Sequence, residues 1–198
     1  MSRSKVKTHP QPDGYTCGPA ALKTALDILG RRIPLDRLIS LCKTTPRNGT
    51  SVKNLISAIN RLGYPVLAIE WSTLKHLQSG LKSFPDRPRA VMVNYQEIDT
   101  DDKEGESGHY SSVASYSNRN SRIVLFDSSW GGKKSYKWTD FIDIWYDYDF
   151  RRIKNNHHKR GFRLARKYYN RLMLVIAKES AHLPKFTTSS ARLFLPEV

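Results

Sequence analysis

The strongest constraint on the fold is a change in hydrophobic periodicity partway along the chain. Apolar residues recur at helical spacing in four N-terminal segments, near residues 18–29, 34–42, 51–62 and 72–80. Runs rich in branched and aromatic residues follow and predict strands. These runs are PVLAI, RAVMVNY, GHYSSVASY, SRIVLFD and KSYKW, and a short helix, TDFIDIW, precedes a last strand, RLMLVIA. Helices followed by strands indicate an α+β fold, in which N-terminal helices pack on an antiparallel β-sheet.

The first predicted helix carries a cysteine at its start. Cys17 precedes Gly18 and Pro19, and apolar residues then recur at helical spacing up to Gly30. Proline suits the first turn of a helix, and glycine suits the position after its end. The sulfur of Cys17 would therefore lie at a helix N-terminus, where free N–H groups and the helix dipole favour the reactive thiolate. The alternative is a buried, inert cysteine, the usual state of a free thiol.

A glutamine precedes this cysteine at a distance that a turn can close. Gln11 lies six positions before Cys17, and the intervening Pro12, Asp13 and Gly14 predict a turn that brings the glutamine back toward the helix start. A carboxamide offers two N–H donors without a charge. Acyl transfer needs such donors for the oxyanion that forms on the attacked carbonyl. Gln11 and Cys17 together predict an oxyanion donor and a thiol nucleophile.

Among six histidines, His109 is the best candidate for a general base. It begins a strand-like run after an acidic loop, and the next predicted strand ends at Asp127. If residues 117–120 form the turn of an antiparallel hairpin, the outer ends of the two strands meet. A carboxylate beside an imidazole fixes its tautomer and stabilises the imidazolium. Trp130 follows closely and is expected to cover the contact between His109 and Asp127.

Taken together, these residues resemble the C39-like peptidases, a papain-like family of cysteine proteases. The resemblance rests on Gln11, Cys17, His109 and Asp127, within the motifs DGYTCGPAA, GTSVKNL and GHY…FD, and covers about residues 9–178. It implies a papain-like fold. It also implies that the cysteine attacks, that the histidine is the base, that the aspartate orients the histidine, and that the glutamine lines the oxyanion hole.

The resemblance implies a peptide or protein substrate. Family members that mature bacteriocins cut after a double-glycine leader, and their peptidase domain is usually joined to a membrane transporter. No run in this chain approaches the ~20 apolar residues of a membrane helix. The double-glycine specificity of those members is therefore not carried over to this sequence.

Composition bears on compartment and cofactors. The basic N-terminus lacks the apolar core of a secretory signal. Cys42 lies on the apolar side of the second predicted helix, so no disulfide with Cys17 is expected, and a reducing, cytoplasmic location fits best. Adjacent His157 and His158 have no nearby cysteine or carboxylate partners and make a weak metal site. No metal or organic cofactor is implied.

The positive charge divides the chain into segments. The formal net charge is +15, and residues 151–178 hold ten basic residues and no acidic one. The predicted organisation is a basic arm at 1–8, a peptidase domain at 9–178 with a basic segment at 151–170, and a C-terminal tail at 179–198.

The basic segment has three interpretations. It is a solvated surface, a polyanion contact in which Tyr168 and Tyr169 stack on nucleic-acid bases, or a site for acidic polypeptide.

These observations predict a cysteine peptidase that cleaves a peptide amide bond through an acyl-enzyme thioester. The same site could pass the acyl group to an amine instead of water, which would make the protein an acyl transferase or transpeptidase. A different class of function is a non-catalytic protein that binds nucleic acid through residues 151–178.

Overall fold

The computed structural model describes residues 6–97, 107–154 and 162–196. Within these residues the helices are α1 (Cys17–Ile28), α2 (Leu35–Leu41), α3 (Val52–Arg61), α4 (Leu74–Leu81) and α5 (Trp138–Ile144). The strands are β1 (Val66–Ile69), β2 (Arg89–Glu97), β3 (Ser107–Ser117), β4 (Arg122–Asp127), β5 (Gly132–Lys137), β6 (Tyr146–Lys154), β7 (Phe162–Asn170), β8 (Met173–Ala177) and β9 (Ala191–Phe194). The predicted α+β fold, with N-terminal helices on an antiparallel sheet, is confirmed.

Seven of the strands form one antiparallel sheet in the order β5-β4-β3-β2-β8-β1-β9. The sequence predicted six of these strands to within a few residues. It did not predict β9, which pairs with β1 from within the segment interpreted as a C-terminal tail. The proposed domain bounds stay a prediction.

Helices cover both faces of this sheet. Apolar residues of α1, α2 and α3 pack with one set of strand side chains, such as Ala90, Met92 and Ile176. The alternate strand residues, such as Val91 and Val93, pack on the other face with residues of α4 and α5. Because successive side chains of a strand point to opposite faces, continuous apolar strands require cover on both sides.

Helix α1 forms where the sequence predicted it and lies against the strands that carry the site. Its buried face includes Leu22, Ala25 and Leu26, all fully buried. The helix ends at Ile28, and Gly30 follows the C-cap residue with a φ of +80°, a conformation that favours glycine. The hydroxyl of Ser112 in β3 donates to the carbonyl of Ala21 at 2.8 Å. This bond links α1 to β3.

Strands β6 and β7 form a separate two-stranded ribbon between α5 and β8. The sequence analysis interpreted residues 151–170 as a basic segment and did not predict the strands of the ribbon. The ribbon's inner face carries Asp147, Asp149 and Tyr169, which are partly or fully buried. Its outer face carries aromatic and basic residues from both strands.

Candidate active site

Cys17 is the first residue of α1, and the preceding turn sets its position. Asp13 Oδ1 accepts hydrogen bonds from the backbone N–H groups of Tyr15 and Thr16, at 3.0 and 2.9 Å. An aspartate that caps the following backbone N–H groups stabilises a turn of this kind. The thiol therefore lies at a helix N-terminus, as predicted, and it is 7% exposed.

The GTS motif supports the loop and helix around this cysteine. A β-carbon on Gly18 would lie 2.8 Å from Thr50 Cβ, so residue 18 must be glycine for Thr50 to pack there. Ser51 caps α3 by accepting the N–H of Asn54 at 3.2 Å. The motif therefore contacts α1 beside the thiol and begins the next helix of the same layer.

His109 lies in β3 and is 4% exposed. The β3–β4 hairpin forms as predicted, with Ser112 opposite Phe126. His109 Nε2 is 3.5 Å from Asp127 Oδ1. Tyr95 lies opposite the histidine on β2, and its ring meets the imidazole edge-on with a centroid distance of 5.5 Å.

The carboxylate of Asp127 is fully buried and held by the turn after β4. Its Oδ1 accepts the hydroxyl of Ser129 at 2.6 Å and the backbone N–H groups of Ser129 and Trp130 at 2.9 and 3.3 Å. Burial acts to raise the pKa of Asp127, but the adjacent His109 and the hydrogen bonds from Ser129 hold it well below its usual range. The carboxylate therefore stays charged beside the imidazole.

The protonated form of His109 is favoured. Burial acts to lower the pKa of His109, but the neighbouring Asp127 carboxylate and Cys17 sulfur outweigh it and raise the pKa from 6.5 to about 10. The structure thus brings Cys17, His109 and Asp127 together. This arrangement can hold an imidazolium between a carboxylate and a sulfur.

A further carboxylate and a lysine adjoin this group, and sequence reasoning missed both. Glu97 Oε2 is 3.6 Å from His109 Nδ1, and Glu97 Oε1 is 2.7 Å from Lys134 Nζ. Lys134 Nζ also lies 3.9 Å from Asp127 Oδ2. Burial acts to lower the pKa of Lys134, but its bond to Glu97 raises that pKa above its ordinary value. Glu97 and Lys134 become neighbours of the site through the registers of β2 and β5, which the sequence does not show.

Gln11 is fixed to the turn that follows Asp127. Its backbone N–H donates to the carbonyl of Ser128 at 3.0 Å, and its side-chain oxygen accepts the hydroxyl of Ser128 at 2.8 Å. The side-chain nitrogen donates to the carbonyl of Asp13 at 2.7 Å. That contact uses one of the two N–H groups of the amide.

Trp130 does not cover the contact between His109 and Asp127. Its side chain is 80% exposed, and the ring that packs on His109 is that of Tyr95. The prediction for Trp130 was wrong because Gly131, with a φ of +70°, and Gly132 continue a turn at the surface, where the indole lies outside the core. Its backbone N–H, instead of its ring, contacts Asp127.

Two acidic side chains lie beside β3 and were also missed. Asp147 Oδ1 accepts the side-chain N–H of Gln96 at 3.0 Å and the backbone N–H of Tyr148 at 2.7 Å. Burial raises the pKa of Asp147 from 3.8 to about 7. A β-carbon on Gly108 would collide with this carboxylate, so the residue before His109 must be glycine. The alternation YDYDF is a signal that could have indicated a strand with inward-facing acids.

Asp149 links the same strand to α3 and β7. Its Oδ2 accepts the backbone N–H of Val52 at 3.1 Å and the hydroxyl of Tyr169 at 3.0 Å. Burial raises the pKa of Asp149. The two aspartates therefore anchor the ribbon to α3 and to β2, the strand that pairs with the one carrying the histidine.

The two cysteines are free and buried. Cys42 is fully buried, and burial raises its pKa to about 12. It has the inert character that was the alternative for Cys17. His157 and His158 lie outside the described residues. Among the residues that are described, no group of three or more His, Cys, Asp or Glu side chains could hold a metal ion.

The sequence model of the Peptidase C39 family matches residues 5–150. The chain therefore belongs to the Peptidase C39 family, and the resemblance seen in the sequence is confirmed. This membership supports a cysteine peptidase activity. The search of curated proteins gave no match.

Two solved structures of C39 peptidase domains share the fold. One is the peptidase domain of Streptococcus ComA, described as a bifunctional ABC transporter involved in a quorum-sensing pathway. It is 18% identical, with a TM-score of 0.60 over 88% of this chain and 99% of that chain. The other is a double-glycine-motif protease from an AMS/PCAT transporter in complex with its leader peptide. It is 12% identical, with a TM-score of 0.58 over 89% of this chain and 94% of that chain.

Both neighbours are named as parts of transporters. In the part of this chain that the structure describes, no helix has the length and apolar character needed to cross a membrane.

Proposed function

We propose that this protein is a cysteine peptidase in which Cys17, His109 and Asp127 act as a catalytic triad. The observation that carries the proposal is the buried His109 that contacts both the helix-terminal thiol and a fully buried carboxylate. The raised pKa of His109 favours an imidazolium, and a protonated imidazole beside the thiol supports a thiolate nucleophile.

In the proposed reaction, the Cys17 thiolate attacks the carbonyl carbon of a peptide bond. The resulting oxyanion accepts hydrogen bonds from the backbone N–H of Cys17 and the side chain of Gln11. His109 then donates its proton to the leaving amine, which leaves a thioester on the sulfur. His109, now neutral, takes a proton from water as the water attacks the thioester, and the cleaved bond releases the acid and restores the Cys17 thiolate beside a protonated His109. Asp127 keeps the imidazole oriented throughout.

The substrate class is a peptide. This part of the proposal draws on the neighbouring protease whose structure contains a leader peptide. The residues preferred around the cleaved bond are to be determined by profiling a diverse peptide library with the wild-type protein.

The test is turnover of the best library peptide by single variants. Cys17→Ala and His109→Ala should remove nearly all turnover. Gln11→Ala should lower kcat about 10² to 10³-fold, because one oxyanion donor is lost. Asp127→Ala should fall between the wild type and His109→Ala. Cys42→Ala is the matched control, since that thiol is buried away from the site and its loss should leave kcat unchanged.

Two results would contradict the triad. A folded Cys17→Ala variant with wild-type turnover would show that Cys17 is not the nucleophile. A fully active His109→Ala variant would show that another residue is the base. Competition between water and an added amine acceptor distinguishes hydrolysis from acyl transfer, because a transferase forms the new amide in preference to the free acid.

A second candidate activity, polyanion binding, is favoured by the outer face of the ribbon. There Arg166 lies 4.5 Å over the ring of Tyr148, which also packs against Phe150 and Tyr168. Phe150 is 54% exposed and Tyr168 is 49% exposed. Exposed rings beside arginines are typical of surfaces that bind single-stranded nucleic acid.

A further inference from the structure

A cavity of about 730 Å³ lies between α3, β1, β9 and the inner face of the ribbon. Pockets for small molecules generally have volumes of about 300–1,000 Å³. The four predicted catalytic residues are absent from the described residues that line this cavity. It is therefore a second concave site, separate from the thiol.

The floor of the cavity is apolar. Buried side chains of α3, β1 and the loop between β7 and β8 form it, including Val52, Ile56, Ala68 and Leu172. The ring of Tyr169 forms one wall and is held in place by its bond to Asp149. An apolar floor of this kind favours a ligand with an apolar body.

The rest of the lining is strongly cationic. Five basic residues converge on the cavity from four elements, with one acidic residue, Glu70, on the same lining. The five are Lys53, Arg61, Arg151, Lys167 and Arg192. Among the described residues, none of these five side chains forms an ion pair, because no carboxylate oxygen lies within 4 Å of their charged nitrogens. Such a cluster attracts an anion, because a bound negative charge would relieve the repulsion between its members.

Lys167 illustrates that repulsion. Lys167 Nζ lies 4.2 Å from the centre of the Tyr169 ring. Burial and the charge of Arg151, with that of Arg192, lower the pKa of Lys167, although the carboxylates of Glu70 and Asp149 act to raise it. The protonated form of Lys167 is therefore less favourable at the cavity wall than it would be in water.

We propose that this cavity binds a small amphiphilic anion, a molecule with a carboxylate, sulfonate or phosphate head on an apolar body. The head would contact Arg151 and Lys167 on the ribbon and Arg192 on β9, while the body would lie on the apolar floor. The volume of the cavity, its apolar floor and its cationic lining suit a small molecule that has an apolar body and an anionic head.

The test is a fluorescence titration of the whole protein with anilinonaphthalene sulfonate, an apolar ring system that carries one sulfonate. We expect saturable binding at one site. Arg151→Gln should weaken that binding about tenfold, because a charged hydrogen-bond donor to the head is lost. Arg152→Gln is the matched control, since Arg152 is the next residue on the same strand and points to the opposite face. It should change the affinity by less than about twofold.

A steric variant tests the location independently of charge. Ser57 lies on the exposed side of α3 and lines the cavity, so Ser57→Trp should fill the space and abolish binding without disturbing the core. Thermal melts of each variant establish that the protein is folded.

Two competitors and one analogue separate the contributions of head and body. Decanoate should displace the probe, whereas inorganic phosphate at equal ionic strength should displace it poorly. Phenylnaphthylamine, the same ring system without the sulfonate, should bind more weakly. Its affinity should be the same for the wild type and for Arg151→Gln. Equal losses in Arg151→Gln and Arg152→Gln would overturn the proposal. Displacement by phosphate as strong as that by decanoate, or unchanged binding in folded Ser57→Trp, would also overturn it.

Discussion

Ser128 is the residue that positions Gln11, because it contacts both the backbone and the side chain of the glutamine. Its carbonyl accepts the Gln11 backbone N–H, and its hydroxyl donates to the side-chain oxygen. It is 2% exposed and directly follows Asp127. The proposed oxyanion donor and the proposed orienting carboxylate therefore depend on the same short turn.

If Gln11 is the oxyanion donor, Ser128→Ala should lower kcat by about tenfold with little change in KM. This loss is smaller than that of removing the donor, because the alanine variant keeps the backbone contact. Ser128→Thr should retain most of kcat, since threonine keeps the hydroxyl. Steady-state kinetics on a short peptide measure both parameters. A rise in KM at constant kcat would show that Ser128 contributes to substrate binding instead.

The two cysteines should differ sharply in reactivity. Iodoacetamide near neutral pH should label Cys17, which lies at a helix N-terminus and contacts His109. Cys42 should stay unlabelled in the folded protein, because it is fully buried and its pKa is raised to about 12. Mass mapping of the labelled peptide is the measurement. Preferential labelling of Cys42 would rule out the assignment of the nucleophile.

At the scale of the element, β6 carries buried acids that make stability depend on pH. Asp147 has a pKa of about 7 in the folded protein and an ordinary value of 3.8 when exposed. Below about pH 4 the carboxyl is protonated in both states, so it has no effect on stability. Between about pH 4 and pH 7 the unfolded chain loses this proton while the folded protein retains it. Stability therefore falls as the pH rises through this range and levels off above it.

Asp147→Asn should remove this pH dependence. At pH 8 the variant should be more stable than the wild type by roughly 2 to 4 kcal/mol, and at pH 4 the difference should vanish. The asparagine oxygen can still accept both bonds that the aspartate Oδ1 accepts. Denaturant unfolding at several pH values measures the effect. Asp143→Asn, on an exposed position of α5, is the control. An equal difference at pH 4 and pH 8 would contradict this account.

Elements with a clear hydrophobic period were the predictable part of the fold. The helices and most strands of the main sheet lie where the periodicity indicated. Strands β6 and β7 escaped prediction because charged residues lie on both faces, so the apolar run that marks the other strands is missing. In β6 the face that points inward carries aspartates where an ordinary strand carries apolar residues. Strand β9 escaped because it is a short edge strand with a largely exposed sequence, ARLF.

The candidate site was predictable as far as local geometry determines it. The hairpin argument placed His109 beside Asp127 because the two strands are adjacent in sequence. Tyr95 and Glu97 reach the histidine through the register of β2, and Lys134 reaches Glu97 and Asp127 through the register of β5. Both registers depend on the packing of the whole sheet. Such neighbours have no signature in the sequence around them.

At the scale of the whole molecule, the positive charge is concentrated in residues 151–178, which include much of the ribbon. If its outer face binds single-stranded nucleic acid, then Arg152→Glu with Arg166→Glu should weaken binding and reduce the slope of log affinity against log salt by about one to two. Turnover of a short neutral peptide should stay unchanged, because surface charges act weakly beyond ~8 Å at physiological salt. Fluorescence anisotropy with a labelled oligonucleotide measures binding at several salt concentrations.

The control is the same charge change on the exposed surface of the helical layer, with Arg37→Glu and Arg47→Glu. Equal losses in the two double variants would show that the total charge, and not the ribbon, attracts the polyanion. Undiminished binding in the ribbon variant would leave its outer face as a solvated basic surface.

The position of β8 determines when the molecule can become active during its synthesis. This strand joins β2 to β1 in the middle of the sheet, yet it follows the ribbon in the sequence and is therefore synthesised after it. The predicted catalytic residues all lie before residue 128 and leave the ribosome earlier. Pairings between segments distant in sequence form slowly. We therefore expect the nascent chain to carry all its reactive groups without a finished sheet to hold them, so that proteolytic activity begins only after translation has passed Ala177.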